Sequence, residues 1–290
     1  MSGAVVIERP RELRERCDAV RACGARVGFV PTMGALHRGH LSLIDAARAA
    51  GADHIVVSIF VNPTQFGPNE DLARYPRTFE ADKAACDAAG VDTIFAPSPD
   101  AMYPDGFSTT VRVAGVTEPL EGVHRPGHFD GVTTVVAKLF AAVGPSLAAF
   151  GRKDYQQLAT VRRMTRDLDL PVEIVAAPIV REEDGLALSS RNRYLDADAR
   201  ARALGIVTGL REAYDRYAAG VRDGSRLVTA ARAPIEARFD RIDYVALADA
   251  DDLAPLDRVG ESGRAVLAVA AHVSGTRLID NVVLGEDPRP

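Results

Sequence analysis

The sequence predicts an α/β protein: a Rossmann-like doubly wound parallel sheet with a smaller C-terminal α+β domain. Over residues 1–178, short apolar runs alternate with segments whose apolar residues recur every three or four positions, which is how parallel strands and their crossover helices read. After Pro178 the order changes to two long helical stretches and then three strand-like runs, the pattern of an antiparallel sheet with helices. A chain of 290 residues suits two domains, 1–178 and 179–290, at about 100–200 residues each.

In the first domain the predicted strands are Val27 to Val30, His54 to Val61, Asp92 to Ala96, Leu147 to Phe150 and Val172 to Ala176, each a short β-rich apolar run. Between them, Leu41 to Ala50, Phe79 to Ala89, Val132 to Val143 and Tyr155 to Leu168 carry the helical spacing. The second domain opens with a turn at Glu182 to Gly185. Helical stretches follow at Asp196 to Ala219 and Arg226 to Phe239, then strands at Ile242 to Leu247, Ala265 to Val273 and Leu278 to Leu284. No internal repeat is visible, and the tail GEDPRP is expected to fray.

Composition excludes several classes. Hydrophobic residues are 47%, charged residues 26% and the mean hydropathy is −0.03, values of an ordinary globular chain. Lys plus Arg is 35 against 40 for Asp plus Glu, with no basic run, so no nucleic-acid partner is expected. The longest apolar run, Ile55 to Val61, falls far short of the roughly 20 residues of a membrane span. The segment MSGAVVIERPRELRERC has no apolar core of a secretory leader. Cys17, Cys23 and Cys86 lack CxxC spacing, which points to reduced thiols in a cytoplasm and to small buried hydrophobes.

Three of the 35 basic residues are lysines: Lys83, Lys138 and Lys153. Where Arg serves general needs, a retained Lys ranks higher as a compact point charge for phosphate.

Five stretches carry chemistry. Val27 to Leu43 is a strand, a Pro/Gly-punctuated loop and a helix start with His37 and His40. Ligands of open α/β sheets bind at the carboxyl ends of strands, where helix N-termini offer free N–H groups to anions. Gly34 to Gly39 imitates a P-loop, but His40 and Leu41 stand where Lys and Ser/Thr belong. Three-residue spacing places the two histidines on one helix face, as donors to a polyphosphate whose charge builds during displacement. The loop also allows one histidine to cap the helix while the other packs; a zinc site lacks a third ligand at metal spacing.

Ser58 to Gly67 is a strand ending in Asn62 and Gln65, neutral amides suited to a substrate with hydroxyl and carboxylate oxygens; loop capping by Asn62 and a surface Gln65 is the alternative. Ala149 to Leu158 repeats the strand, glycine and helix start. Asp154 there suits the helix dipole, whereas Lys153 is unfavourable unless an anion lies between it and the helix. Leu186 to Arg193 offers paired hydroxyls and Arg191 for gripping phosphate, or an ordinary pre-helix cap. Arg125 and His128 in HRPGHFDG either bind an anion or pin a loop.

Taken together, PTMGALHRGH at 31–40, FVNPTQF at 60–66, YPRT at 75–78, RPGHFDGV at 125–132, FGRKDYQQL at 150–158, SSRNRYL at 189–195 and TRLIDN at 276–281 resemble the pantoate:β-alanine ligases. That family lies in the nucleotidyltransferase group that shares an HxGH loop with class I aminoacyl-tRNA synthetases. The resemblance covers nearly the whole chain. It implies a cytoplasmic homodimer that uses ATP and Mg²⁺ to join (R)-pantoate and β-alanine through a pantoyl adenylate, with AMP and pyrophosphate as by-products.

Carried over by motif position, Met33, Gly34, Ala35, Leu36, His37, Arg38, Gly39 and His40 line the ATP site, with His40, His37 and Lys153 catalytic. Gly151, Arg152, Lys153, Asp154, Leu188, Ser189, Ser190 and Arg191 also hold ATP, and Val180 offers backbone to adenine. Gln65 and Gln157, with Asn62 and Arg125, hold the other substrates. No protein metal ligand is assigned, since Mg²⁺ keeps most of its waters; Asp82 is the one carboxylate considered. Arg38, Arg152 and Leu188 depart from the family's usual residues without removing a role. A plain nucleotidyltransferase, a tRNA-charging relative and a non-catalytic nucleotide binder are the competing readings.

Overall fold

The structure is a computed structural model describing residues 3–68, 70–260 and 263–290. Its elements run β1 (Val5–Ile7), α1 (Pro10–Ala22), β2 (Val27–Thr32), α2 (Arg38–Ala49), β3 (His54–Ile59), α3 (Phe79–Ala88) and β4 (Thr93–Phe95). There follow α4 (Pro99–Met102), α5 (Glu121–His124), α6 (His128–Val143), β5 (Ser146–Gly151), α7 (Tyr155–Asp167) and β6 (Val172–Ala177). The remainder is α8 (Ala197–Ala203), α9 (Gly205–Ala218), α10 (Gly224–Glu236), β7 (Arg241–Asp249), β8 (Ala265–Val273) and β9 (Thr276–Leu284).

Six strands form one parallel sheet in the order β1-β4-β3-β2-β5-β6. Chain direction across the sheet reverses between β2 and β5, the topological switch point of a doubly wound fold. Strand period two sorts β2 onto both faces. Val30 joins a core with Leu43, Ile44 and Ala47 of α2 and Cys86 of α3, while Phe29 meets Phe140 of α6 edge-on at 6.3 Å. Covering helices on both faces explain why these strands read as continuous apolar runs.

Contacts group the described residues into two units. One comprises Met1–Ala114, Arg125–Arg152 and Thr160–Pro178; the other comprises Gly115–His124, Lys153–Ala159 and Ile179–Pro290. The second unit holds the antiparallel sheet β7-β8-β9. Its core joins Ile206 and Leu210 of α9, Leu227 and Ile235 of α10, and Leu267, Val269 and Val282 of the sheet.

Several expectations change. β1 and α1 were not foreseen, because α1 shows only a narrow apolar stripe, Leu13 and Cys17, amid charges. The single helix expected over 196–219 is broken at Leu204 into α8 and α9. Cys23 is exposed, whereas Cys17 and Cys86 are buried and burial raises their thiols to about 11 and about 12. The tail is held: Arg289 pairs with Asp215 at 2.7 Å, and Arg211 Nε donates to the Pro290 carbonyl. No helix among the described residues is long and apolar enough to cross a membrane.

Candidate active site

The loop after β2 is folded around a buried carboxylate. Thr32 Oγ1 donates to the Ser58 carbonyl at 2.6 Å and accepts the Gly34 N–H at 3.2 Å. The chain then takes two successive left-handed residues, Gly34 at φ +82° and Ala35 at φ +50°. A side chain at Gly34 would bring a Cβ to 3.0 Å from Asp82 Oδ2. Asp82, on α3, accepts the N–H groups of Ala35 at 2.9 Å and Leu36 at 2.7 Å, and the Thr78 hydroxyl at 3.1 Å. The carboxylate considered for Mg²⁺ is thus occupied in shaping the loop.

His37 does not lie within the helix, as three-residue spacing suggested. Its backbone is extended (φ −138°, ψ 174°) and it forms the N-cap of α2, which begins at Arg38 and Gly39. Its ring nonetheless stacks on that of His40, with centroids 4.0 Å apart. The two close a reciprocal cap: Gly39 N–H donates to His37 Nδ1 at 3.2 Å, and His37 N–H donates to His40 Nδ1 at 3.3 Å. Because each Nδ1 accepts a hydrogen bond, this pattern assigns the ring proton to Nε2 in both. Capping therefore holds both rings, stacked, at the N-terminus of α2 directly after the β2 loop.

Asn62 is 1% exposed and ends the β3 run. Its Nδ2 donates to Gln65 Oε1 at 3.0 Å and to the Gly131 carbonyl at 3.2 Å, while its Oδ1 accepts the Thr64 hydroxyl and, at 2.7 Å, the Tyr103 hydroxyl. Only glycine fits at 131, since an added Cβ would stand 2.4 Å from the Thr64 carbonyl. The Asn62 amide thus fixes the turn and orients Gln65, whose Nε2 lies 3.4 Å from Met33 Sδ. Lys138 Nζ stands over the Phe107 ring, 4.7 Å from its centroid, beside Tyr103.

Arg125, expected among the substrate contacts, forms a fork on Glu70 at 2.7 and 2.6 Å. Burial alone would raise the Glu70 carboxyl, but the Arg125 hydrogen bonds and charge outweigh it and hold it below the usual range. His128 is the first residue of α6; its Nδ1 meets the Gln65 carbonyl at 2.8 Å and its Nε2 meets Arg125 at 3.0 Å. The loop-pinning alternative accounts for both residues.

At the neighbouring strand, Gly151 ends β5, and Arg152, Lys153 and Asp154 form one turn leading into α7. Within the second unit, Lys153 lies 3.9 Å from Asp154 and its carbonyl accepts Asn281 Nδ2 at 2.9 Å. The start of α7 is clamped: the Tyr155 hydroxyl donates to the Ala250 carbonyl, and Gln156 binds Val116, Pro119 and Glu121 backbone groups. Gln157 beside it is half-buried, and no described group hydrogen-bonds its side-chain amide.

Val180 and Leu188 are brought together, Leu188 N–H donating to the Val180 carbonyl at 3.0 Å across the turn at residues 182–185. Ser189 caps the turn that carries Ser190 and Arg191, accepting the Arg191 N–H at 3.3 Å. Asn192 ties that turn to Glu182, and Arg200 of α8 grips Glu182 and Asp184. Among the described residues no group of three or more His, Cys, Asp or Glu is placed to hold a metal ion.

Each unit carries its share of the expected residues. Met33 through His40, Asn62, Gln65, Arg125, Gly151 and Arg152 are in the first; Lys153, Asp154, Gln157, Val180 and Leu188 through Arg191 are in the second. Sequence reasoning named Asp82 only as a carboxylate for Mg²⁺ and missed the supporting roles: Thr78 and Asp82 beneath the loop, Tyr103 behind Asn62, Glu70 behind Arg125, and Tyr155, Gln156 and Asn281 around Lys153. All but Asn281 lie within the chain's first 160 residues, yet most are far in sequence from what they hold.

A family model for pantoate-β-alanine ligase matches residues 5–283. The chain is 54% identical over 286 residues to pantothenate synthetase 1 of Bradyrhizobium diazoefficiens, covering 98% of this chain and 99% of that one. It is also 54% identical over 273 residues to the pantothenate synthetase of Moorella thermoacetica, covering 94% and 95%. Among solved structures it is similar to the pantothenate synthetase from Thermus thermophilus, with TM-score 0.88, 46% identity and coverage of 96% and 98%. Pantoate-beta-alanine ligase from Francisella tularensis, complexed with beta-gamma ATP and beta-alanine, matches with TM-score 0.78, 30% identity and coverage of 99% and 100%. A match spanning the HxGH loop, both glutamine segments and the Lys153 turn at this identity leaves one conclusion: the chain belongs to the pantoate-β-alanine ligase family.

Proposed function

We propose that this chain joins pantoate to β-alanine in two steps, with ATP as the activating co-substrate. The pantoate carboxylate attacks the α-phosphorus of ATP, forming pantoyl adenylate and releasing pyrophosphate. The β-alanine amine then attacks the acyl carbon, forming the amide of pantothenate and releasing AMP. The observation that carries this reading is the reciprocal His37–His40 cap, which stacks the two imidazoles at the N-terminus of α2, directly after the β2 loop.

In this reading His40 and His37 donate to phosphate oxygens as charge moves to the leaving pyrophosphate, and Lys153 adds a point charge. The loop from Met33 through Gly39, the turn Gly151 to Asp154, the Val180 backbone and Leu188 to Arg191 hold the nucleotide. Gln65 and Gln157 orient pantoate through amide donors and acceptors, with Asn62 and Arg125 acting behind Gln65. The division of labour keeps 1–178 as the catalytic domain and 179–290 as the domain with the Ser-Ser-Arg loop by chain order, although 115–124 and 153–159, and so Lys153, Asp154 and Gln157, group by contacts with the second unit. Mg²⁺, bound through the triphosphate and water, would screen phosphate charge, a mode that fits a chain whose Asp82 is occupied by backbone N–H groups. We further infer a homodimer acting in the cytoplasm, supported by family membership and by three thiols with no partner cysteine.

The test is pyrophosphate and AMP release from ATP and Mg²⁺ with pantoate, β-alanine or both. Pantoate-dependent pyrophosphate, with AMP and pantothenate turned over only when β-alanine is added, is the expected result. Turnover of ATP that ignores both acids would overturn it.

A further inference from the structure

Of the seven motifs, YPRT at 75–78 and TRLIDN at 276–281 supply no assigned site residue; Thr78 of the first supports Asp82. The polar residues of the second lie on β9, an edge strand registered on β8 through Asp280↔Val269 and Asn281↔Ala268. Both side chains are buried, Asp280 at 4% and Asn281 at 3% exposure. Successive strand residues face opposite sides, so the pair reaches two different segments from one rigid support. Asp280 takes the Arg181 guanidinium at 2.6 and 3.1 Å, and Arg181 also holds the Gly185 carbonyl. Asn281 donates Nδ2 to the Lys153 carbonyl at 2.9 Å, while its own N–H is taken by Asp280 Oδ1 at 2.8 Å.

We propose that Asn281 is a positioning residue for Lys153: its buried amide fixes the backbone turn from which the ammonium reaches phosphate. The inference rests on the ATP role given to Lys153 above. Lys153 precedes α7 in a single turn, Arg152–Asp154, too short to hold its own direction. A long flexible side chain acts as a placed charge only when its root is fixed, and small misplacements of such groups are costly in rate. Asn281 supplies the fixed root, and Asp280 anchors the Val180–Leu188 hairpin separately.

The experiment is a double-mutant cycle on ATP-dependent, pantoate-dependent pyrophosphate release. Asn281→Ala is expected to lower kcat/KM for ATP about tenfold or more, and to leave the β-alanine KM within about twofold. In a Lys153→Ala background the same change is expected to have an effect of less than about twofold. Asp280→Asn, which loosens the hairpin, is expected to lower kcat/KM by the same factor in both backgrounds. Asn281→Asp keeps the shape and removes the donor, so it should reproduce Asn281→Ala. Equal losses from Asn281→Ala in both backgrounds would overturn the proposal in favour of a general packing role. So would loss of a cooperative melt in both Asn281 variants. Lys153→Ala with unchanged pyrophosphate release would instead overturn the assignment of Lys153 itself, and is read from that single variant alone.

Discussion

Asp82 holds Ala35 in the left-handed region: its carboxylate takes the Ala35 and Leu36 N–H groups at 2.9 and 2.7 Å, across a sequence separation of 47 residues from Ala35. A non-glycine residue at φ +50° is strained by about 1 kcal/mol, and persists because two charge-assisted bonds compensate. In Asp82→Asn one oxygen is replaced by a donor that faces a donor. We expect stability to fall by about 1–3 kcal/mol and the KM for ATP to rise, read by denaturant melts and pyrophosphate release.

His37 caps α2 and, in the proposed reaction, also donates to phosphate; substitution separates the two. Asn is a good N-cap, so His37→Asn keeps the helix cap and removes the Nε2 donor. Stability should stay within about 0.5 kcal/mol while adenylation falls about a hundredfold. His37→Ala should lose the same activity and in addition about 1 kcal/mol. Equal stability of the two variants would remove the cap from the account.

Tyr103 bears on the proposed pantoate contact Gln65 at one remove, through Asn62. Tyr103→Phe deletes the 2.7 Å bond to Asn62 Oδ1, leaving that oxygen to Thr64. The expected cost is about 1 kcal/mol of stability. Because Asn62 orients Gln65, the KM for pantoate should rise severalfold while that for ATP holds steady, measured in the same initial-rate assay.

The Glu70–Arg125 fork makes an acid-sensitive tether. The Glu70 carboxyl sits below its ordinary value in the folded chain, so its contribution is complete above the unfolded value of about 4.3 and is lost as pH falls through the folded one. The stability gap between the parent and Glu70→Gln should be flat between about pH 6 and 8 and shrink as pH falls below about 4. A gap that grows on acidification would contradict the sign.

The parallel sheet was legible because its strands are buried on both faces and so read as unbroken apolar runs, as in Val27 to Val30. α1 was not, since RELRER hides Leu13 and Cys17 among charges. At the site, residue types exposed the candidates; the three-residue spacing of His37 and His40 suggested a shared helix face, whereas His37 is an extended cap residue whose ring nonetheless stacks on that of His40. The partners that hold Arg125 and Asn62 were not legible, because Glu70 and Tyr103 lie 55 and 41 residues away. Hydrogen bonds over such distances leave no periodicity in the sequence.

The place of β2 between β3 and β5 governs how the protein is made. A ribosome delivers β3 and β4 soon after β2, so three strands of one half can align early. The other edge of β2 stays bare until Ser146–Gly151 emerges, and an uncapped apolar edge invites pairing with a neighbouring chain. Nascent chains halted before β5 are therefore the sticky ones, and β2 gains its second neighbour only when the last third of the sheet arrives.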